Sequence, residues 1–266
     1  MKHIKYIPFL FAVLATGSAS AADVRAPYNE AIMAIVKKMP KGGGYETTSR
    51  AFKALKSSIT LGEDTLEVAE RKARPSFCSS ATYVVMTELI SQMQKAQQLT
   101  LTPDTMKALL VKGEPDGAGV WGRWNANGPG TARFFYELNL GSNFTNIADA
   151  LPGDFMKAFW TDAIGHKERG HSVIFTGTKQ SWSGKQICFW SSNSGSLTQA
   201  AGFGEKCLAA KKFRRMLFSR LQTIENLNHI PQRMAPETST YKDQYLADML
   251  KRASSQKEMC EKVGCQ

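Results

Sequence analysis

The five cysteines of this 266-residue sequence are the residues whose chemistry depends most on their setting. Cys260 and Cys265 lie close together in a polar tail, and Cys188 lies in an apolar run some way before Cys207. Both spacings suit local disulfides, but four cysteines allow three connectivities, so these two pairs are hypotheses. If the four are paired, Cys78 is left over.

Cys78 lies in the segment Pro75-Ser76-Phe77-Cys78-Ser79-Ser80, where an apolar periodic run predicts a buried helix from about residue 76 to 97. In the first turn of a helix, unpaired backbone N–H groups and the helix dipole stabilise a thiolate, which is the nucleophilic form of cysteine. The alternative is a small buried hydrophobic residue, the commoner role of a free cysteine. Residues 1–22 predict export to an oxidising compartment, where an unpaired thiol with only a structural role is harder to explain. A nucleophilic role for Cys78 is therefore favoured.

A cysteine nucleophile needs a base, and His166, His171 and His229 are the histidines beyond the first 22 residues. His166 lies in a charged segment and His229 follows a predicted helix, so both are expected to have surface or capping roles. His171 opens an apolar run that is predicted to form a hairpin with residues 186–190. Asn193 then lies across the hairpin from His171 and is predicted to fix the imidazole tautomer, with Ser191 on the same strand face as the alternative.

A glycine-rich segment from Gly113 to Gly130 predicts a long loop whose aromatic and amide side chains face a ligand. The alternative is a structural loop packed by its own tryptophans. Tyr45, which follows three glycines, is a candidate hydrogen-bond donor to a reacting carbonyl oxygen. The candidate substrate-binding residues are Tyr45, Trp121, Arg123, Trp124, Asn125 and Asn127.

The hydrophobic periodicity changes along the chain from helical to strand-like and back to helical. It predicts helices over residues 28–38, 51–55, 76–97 and 102–111, strands over 155–160, 171–176 and 186–190, and helices over 213–227 and 241–251. This order is typical of an α+β fold. A single domain is predicted over residues 23–266, with its core at about 75–195 and a C-terminal helical extension at about 205–266.

Residues 1–22 have a basic start, a short apolar run and a small-residue ending, which together predict a cleaved secretory signal peptide. The alternative is a buried N-terminal helix. The apolar run is shorter than the roughly 20 residues that a membrane-spanning helix needs, and no later run reaches that length. The protein is therefore expected to be exported, to be periplasmic or secreted, and to have no transmembrane segment.

The net charge of +11 suits an anionic wall polymer or membrane surface, but it equally suits a solvated basic surface without a specific partner. Nucleic acid is not an expected partner, because the sequence has no nucleic-acid-binding motif. No HExxH, CxxC or phosphate-binding glycine loop is present either. The sequence thus predicts no metal and no cofactor, and it identifies no protein inhibitor.

Several short motifs in chain order resemble the papain-like cell-wall amidases of the NlpC/P60 and CHAP families. They are Cys78 at a helix start, Gly153-Asp154-Phe155, Gly170-His171 before an apolar strand, and the strand that ends in Asn193. The resemblance covers roughly residues 75–193. It implies a buried helix that carries the cysteine and packs on a central antiparallel sheet, with additional helices at both ends.

The resemblance further implies a cysteine amidohydrolase or endopeptidase that cleaves an amide or peptide bond in peptidoglycan or muropeptides. Cys78 would attack the carbonyl, His171 would hold and return the proton, Asn193 would orient His171, and the Cys78 N–H would stabilise the oxyanion. One alternative is a secreted cysteine protease or acyltransferase that acts on proteins through the same site. Another is a non-enzymatic wall-binding or scaffold protein in which Cys78 is disulfide-bonded.

Overall fold

The computed structural model describes residues 25–114, 116–165, 168–182, 184–234 and 255–265. Helices dominate the first half of these ranges and strands the second, so the predicted α+β class is confirmed. The predicted signal peptide and the predicted helix at residues 241–251 lie outside the described residues. Within the described ranges, no helix has the length and hydropathy needed to cross a bilayer.

The central helix of the fold is α3, Cys78–Lys95, and it confirms the helix predicted there. Its alanine, valine, methionine, leucine and isoleucine residues lie on several faces, and most of them are fully buried. Ser80 caps the helix, because its Oγ accepts a hydrogen bond from the Phe77 N–H at 3.0 Å. Around it lie α1 (Asn29–Lys38), α2 (Ser49–Ser58) and α4 (Pro103–Leu109).

The segment predicted as one long loop, residues 113–130, contains a helix, α5 (Gly119–Asn125), and a second helix, α6 (Thr131–Leu138), follows directly. The prediction of a continuous loop is therefore wrong. The glycines before α5 have positive φ and make the turn that leads into it, after which Trp121 and Trp124 bury their rings in the core. Two further helices are α7 (Ile230–Arg233) and α8 (Gln256–Val263).

Seven of the described strands form one antiparallel sheet, and a separate hairpin pairs β2 (Ile59–Leu61) with β3 (Leu66–Val68). The sheet strands are β1 (Gly42–Gly43), β4 (Gly141–Phe144), β5 (Phe155–Phe159), β6 (Gly170–Ser181), β7 (Gly184–Asn193), β8 (Gly202–Ala209) and β9 (Arg215–Leu221). Their spatial order is β1-β8-β7-β6-β5-β9-β4. The helices cover one face, where α3 packs on the central strands.

Both predicted disulfides are present, and all five cysteines lie within the described residues. Cys188 and Cys207 are directly opposite each other on β7 and β8 and are joined by a disulfide. Cys260 and Cys265 are joined near the end of α8, and Cys78 is a free thiol.

The helix predicted over residues 213–227 is wrong, because this segment forms β9 and then a short 3₁₀ turn, Ile224–His229. Successive side chains of β9 are buried on opposite faces of the sheet: Leu217 and Phe218 lie in different hydrophobic clusters. A strand buried on both faces has apolar residues at spacings that also fit a helix. The predicted C-terminal helical extension, at about residues 205–266, is also wrong where β8 and β9 lie.

A buried ion pair fixes the start of β5, where the sequence reads Pro152-Gly153-Asp154. The Asp154 carboxylate is fully buried and accepts hydrogen bonds from Arg220 at 2.9 and 2.7 Å and from Asn29 at 2.9 Å. Gly153 has a φ of +100°, and a Cβ there would lie 2.7 Å from a backbone oxygen of Asn29. This motif therefore joins β5 to α1 and β9.

Replacing Asp154 by alanine is expected to destabilise the fold by about 3–5 kcal/mol, because the buried Arg220 guanidinium would lose its counter-charge. Urea unfolding followed by circular dichroism would measure this free energy. Asp149→Ala is the matched control, since that carboxylate is exposed and only its backbone oxygen binds Arg220. Equal unfolding free energies for the two variants would contradict the structural role of Asp154.

Candidate active site

Cys78 is the first residue of α3 and is partly buried beside the start of β6. A first-turn N–H has no acceptor within its own helix, so the Cys78 backbone amide is available to an oxygen in front of it. The cap made by Ser80 holds this turn in place, since the Ser80 hydroxyl also donates to the Phe77 carbonyl at 2.7 Å. The helix start thus presents a thiol and a backbone donor together.

The His171 side chain, at the start of β6, lies close enough to the Cys78 thiol to interact with it. Burial raises the pKa of the thiol, but hydrogen bonding to His171 and the charge of its imidazole lower it, and the Ser172 backbone and Lys157 lower it further. Their combined effect brings the pKa from 9.0 to about 7. A large fraction of Cys78 is therefore a thiolate at neutral pH.

His171 is held from its other side by Asn193, the last residue of β7. Ile174 pairs with Trp190, and His171 and Asn193 each lie three residues beyond that pair along their strands. The imidazole Nε2 lies 3.0 Å from Asn193 Oδ1. The Asn193 amide nitrogen donates to the Gly204 and Ser191 carbonyls, so Asn193 Oδ1 is the acceptor and the His171 Nε2–H is the donor. In this tautomer the other ring nitrogen of His171, Nδ1, carries no proton and can accept the proton of the Cys78 thiol.

Ser191, the other candidate for this orienting role, does not contact the imidazole. Its side chain is fully buried, and its hydroxyl donates to the Ser172 carbonyl at 2.7 Å. Of the remaining histidines, His229 is exposed in its 3₁₀ turn, and His166 lies outside the described residues. The structure therefore brings together Cys78, His171 and Asn193.

A cleft with a volume of about 520 Å³ opens in front of Cys78. Of the six predicted substrate-binding residues, Tyr45, Asn125 and Asn127 line it. Tyr45 is positioned by a bridge between its backbone and Ser76. Burial and the nearby Cys78 charge both raise the pKa of the Tyr45 hydroxyl, so it stays protonated and can donate.

Trp121, Arg123 and Trp124 do not line the cleft, and their prediction as substrate-binding residues is wrong. All three are buried on the inner side of α5. The Trp124 indole N–H donates to the Ser79 carbonyl at 3.2 Å, which ties α5 to the first turn of α3. Arg123 forms an ion pair with Glu137. Their role is to place Asn125 beside Cys78, where its side-chain oxygen accepts from the Ser79 hydroxyl.

A buried ion pair that was not predicted from the sequence lies in the cleft wall between Lys157 and Glu168, whose charged atoms are 2.6 Å apart. Glu168 also accepts hydrogen bonds from the backbone N–H groups of Gly128 and Gly165, so it joins three segments around the cleft. A signal for Lys157 was present in the sequence: it is a lone charge inside an otherwise apolar strand.

A second, smaller cavity of about 180 Å³ lies on the far side of His171. Tyr45, Trp160 and Gly170 line both cavities, so they form the boundary between them. Asn193 and Lys206 line the smaller one. The cysteine and the histidine thus lie where the two cavities meet, which leaves space on both sides of a reacting bond.

In comparisons with known proteins, no family model, no curated protein and no solved structure matches this chain.

Replacing Asn193 by alanine is expected to lower kcat about 100-fold, because displacing a catalytic group by about 1 Å costs a factor of this order. Ser191→Ala is the matched comparison and should lower kcat much less, since Ser191 does not contact the imidazole. Steady-state kinetics of both variants on the same substrate would measure the difference. A larger loss in Ser191→Ala would assign the orienting role to the serine instead.

Proposed function

We propose that this protein is an exported cysteine amidohydrolase or endopeptidase that cleaves an amide or peptide bond in peptidoglycan. The observation that carries the proposal is the position of Cys78 beside His171, whose imidazole is held by Asn193, at the mouth of a cleft. A thiol with a pKa of about 7 beside an oriented imidazole has the chemistry of a nucleophile and its base.

The reaction follows from these positions. The Cys78 thiolate attacks the carbonyl carbon, and the oxygen takes up the negative charge as a tetrahedral intermediate forms. The protonated His171 gives its proton to the leaving nitrogen, the C–N bond breaks, and a thioester remains on Cys78. Water then attacks the thioester with His171 as base, which releases the carboxylic acid and restores the thiol.

Two donors are available for the oxyanion in this mechanism. The Cys78 backbone N–H lies at the start of α3, where the helix dipole favours negative charge. The Tyr45 hydroxyl lines the same cleft and remains protonated because its pKa is raised.

The choice of a wall substrate rests on features outside the site. Residues 1–22 have the pattern of a secretory signal, and four of the five cysteines are paired, as is usual in an oxidising compartment. The net charge of +11 is compatible with an anionic polymer. A cysteine-bearing helix on an antiparallel sheet with a histidine at a strand start also agrees with a papain-like arrangement.

Digestion of purified peptidoglycan by the wild-type protein tests this proposal. New amine termini and shortened muropeptides, identified by liquid chromatography and mass spectrometry, are the expected result. Denatured casein, incubated in parallel, tests for a protein substrate. Cleavage of casein without release of muropeptides would support a secreted cysteine protease and overturn the wall substrate. If neither peptidoglycan nor casein is cleaved, the proposed enzymatic function is overturned. The non-enzymatic scaffold function would then remain, even though Cys78 is free rather than disulfide-bonded.

A further inference from the structure

The charged residues that line the two cavities are unbalanced in sign. The larger cavity has Lys157, Glu168 and Arg169 in its wall, and the smaller one has Lys206. The two cavities together thus have one carboxylate and three cationic side chains in their walls.

Glu168 neutralises only one of these cations. Its contact with Lys157 is 2.6 Å long and almost completely buried, and the remaining carboxylate oxygen accepts two backbone hydrogen bonds. Three of the roughly four acceptor positions of this carboxylate are therefore occupied. The Lys157–Glu168 pair thus leaves no net charge for a substrate.

Arg169 and Lys206 have no such partner. Across the part of the chain that the structure describes, neither side chain takes part in a hydrogen bond or an ion pair. The Arg169 side chain is exposed, and its backbone pairs with Trp160 at the boundary of the two cavities. Lys206 lies opposite Phe189, whose ring is 5.7 Å from the His171 ring.

The two cations lie on opposite sides of the reacting pair. The cavity with Arg169 contains Cys78, which bonds to the acyl carbon, so it accepts the acyl side of the substrate. The cavity with Lys206 contains His171, which protonates the leaving nitrogen, so it accepts the amine side. An unpaired cation beside each half of the substrate fits an anionic group on each half.

We propose that the substrate has a carboxylate on both sides of the scissile amide, the one on the acyl side bound by Arg169 and the one on the amine side by Lys206. This inference rests on the proposed function, because that function assigns the two cavities to the two halves of the substrate. It narrows the substrate class to acidic peptides and makes Arg169 and Lys206 specificity-determining residues.

Binding to an inactive protein tests the inference separately from catalysis. A peptidoglycan stem tetrapeptide is prepared in four forms: with its carboxylates free on both halves, amidated on either half, or amidated on both. Isothermal titration into the Cys78→Ala protein gives Kd for each form. Arg169→Gln and Lys206→Gln are introduced into this background, with Arg71→Gln and Lys212→Gln, which are exposed and line neither cavity, as controls.

The diacid form is expected to bind most tightly, and each amidation is expected to raise Kd about tenfold. Arg169→Gln should remove the effect of amidation on one half only, and Lys206→Gln the effect on the other half. The two control variants should bind like the parent.

Equal Kd values for the four forms, or equal losses in the control variants, would overturn the inference, as would no binding of the diacid at millimolar concentration. Turnover by the wild-type protein separates this result from the proposed function. Hydrolysis with no preference for carboxylates would reject the inference alone. Selective binding of the diacid without hydrolysis would reject the enzymatic function alone.

Discussion

Replacing Cys78 by alanine is expected to abolish amide hydrolysis and leave the fold intact. Loss of a covalent nucleophile lowers kcat by on the order of 10⁴-fold or more, because the remaining groups have no bond-forming partner to assist. The substitution removes one sulfur atom at a partly exposed position, so the unfolding temperature should change little. Release of muropeptides from peptidoglycan, followed by chromatography, measures the activity.

Wild-type protein whose thiol has been alkylated with iodoacetamide is the companion sample. It should be as inactive as Cys78→Ala, since all other cysteines are in disulfides. Muropeptide release by Cys78→Ala at the wild-type rate would contradict the assignment of the nucleophile. Circular dichroism would show whether the Cys78→Ala protein is unfolded. If it is, the activity of the alkylated wild-type protein would decide whether Cys78 is the nucleophile.

Replacing His171 by glutamine is expected to lower kcat/KM by about 10²–10⁴-fold, the usual contribution of general acid–base catalysis. Glutamine keeps a polar side chain opposite Asn193 but cannot carry a proton to the leaving nitrogen. It also removes the hydrogen bond and the charge that lower the pKa of Cys78, while burial of the thiol remains. Less thiolate is therefore present at neutral pH, and the two losses act together.

His229→Gln is the matched control for this experiment. His229 is exposed in a 3₁₀ turn and lines neither cavity, so its replacement should leave kcat/KM unchanged. If His171→Gln retained wild-type kcat/KM, or if His229→Gln lost as much activity, His171 would not be the general acid and base.

The hairpin that carries His171 and Asn193 was located by its apolar alternation, but its turn does not determine which residues lie opposite each other. The register at the turn differs by one residue from the register at Ile174 and Trp190, because a β-bulge lies in β6. The bulge was not predictable, so the sequence indicated this pair only to within one residue. Cys78 was predictable, since a capped helix start is a local feature of the sequence.

The cleft walls depend on contacts that are distant in sequence, and these were not predictable in the same way. Trp124 and Asn125 are neighbours, yet the first is buried against Ser79 and the second is exposed in the cleft. Only the packing of α5 on α3 decides between these positions. The Lys157–Glu168 pair likewise depends on how the loop before β6 folds back over β5.

β9 was misassigned for a physical reason of a different kind. Its residues are buried on both sides of the sheet, so the alternation that marks a strand is absent from the sequence. Leu217 and Leu221 then match a helical spacing by coincidence. β9 lies between β4 and β5 and pairs with both. Its assignment as a strand depends on these two neighbours.

The pH dependence of Cys78 alkylation tests most directly whether His171 activates this thiol. The rate of reaction with iodoacetamide, with the modified residue identified by mass spectrometry, follows the thiolate fraction. In the wild-type protein the rate should rise with pH around a midpoint near 7, and in His171→Gln the midpoint should move to clearly higher pH. A wild-type midpoint near 9.0, or the same midpoint in both proteins, would contradict the Cys78–His171 pair.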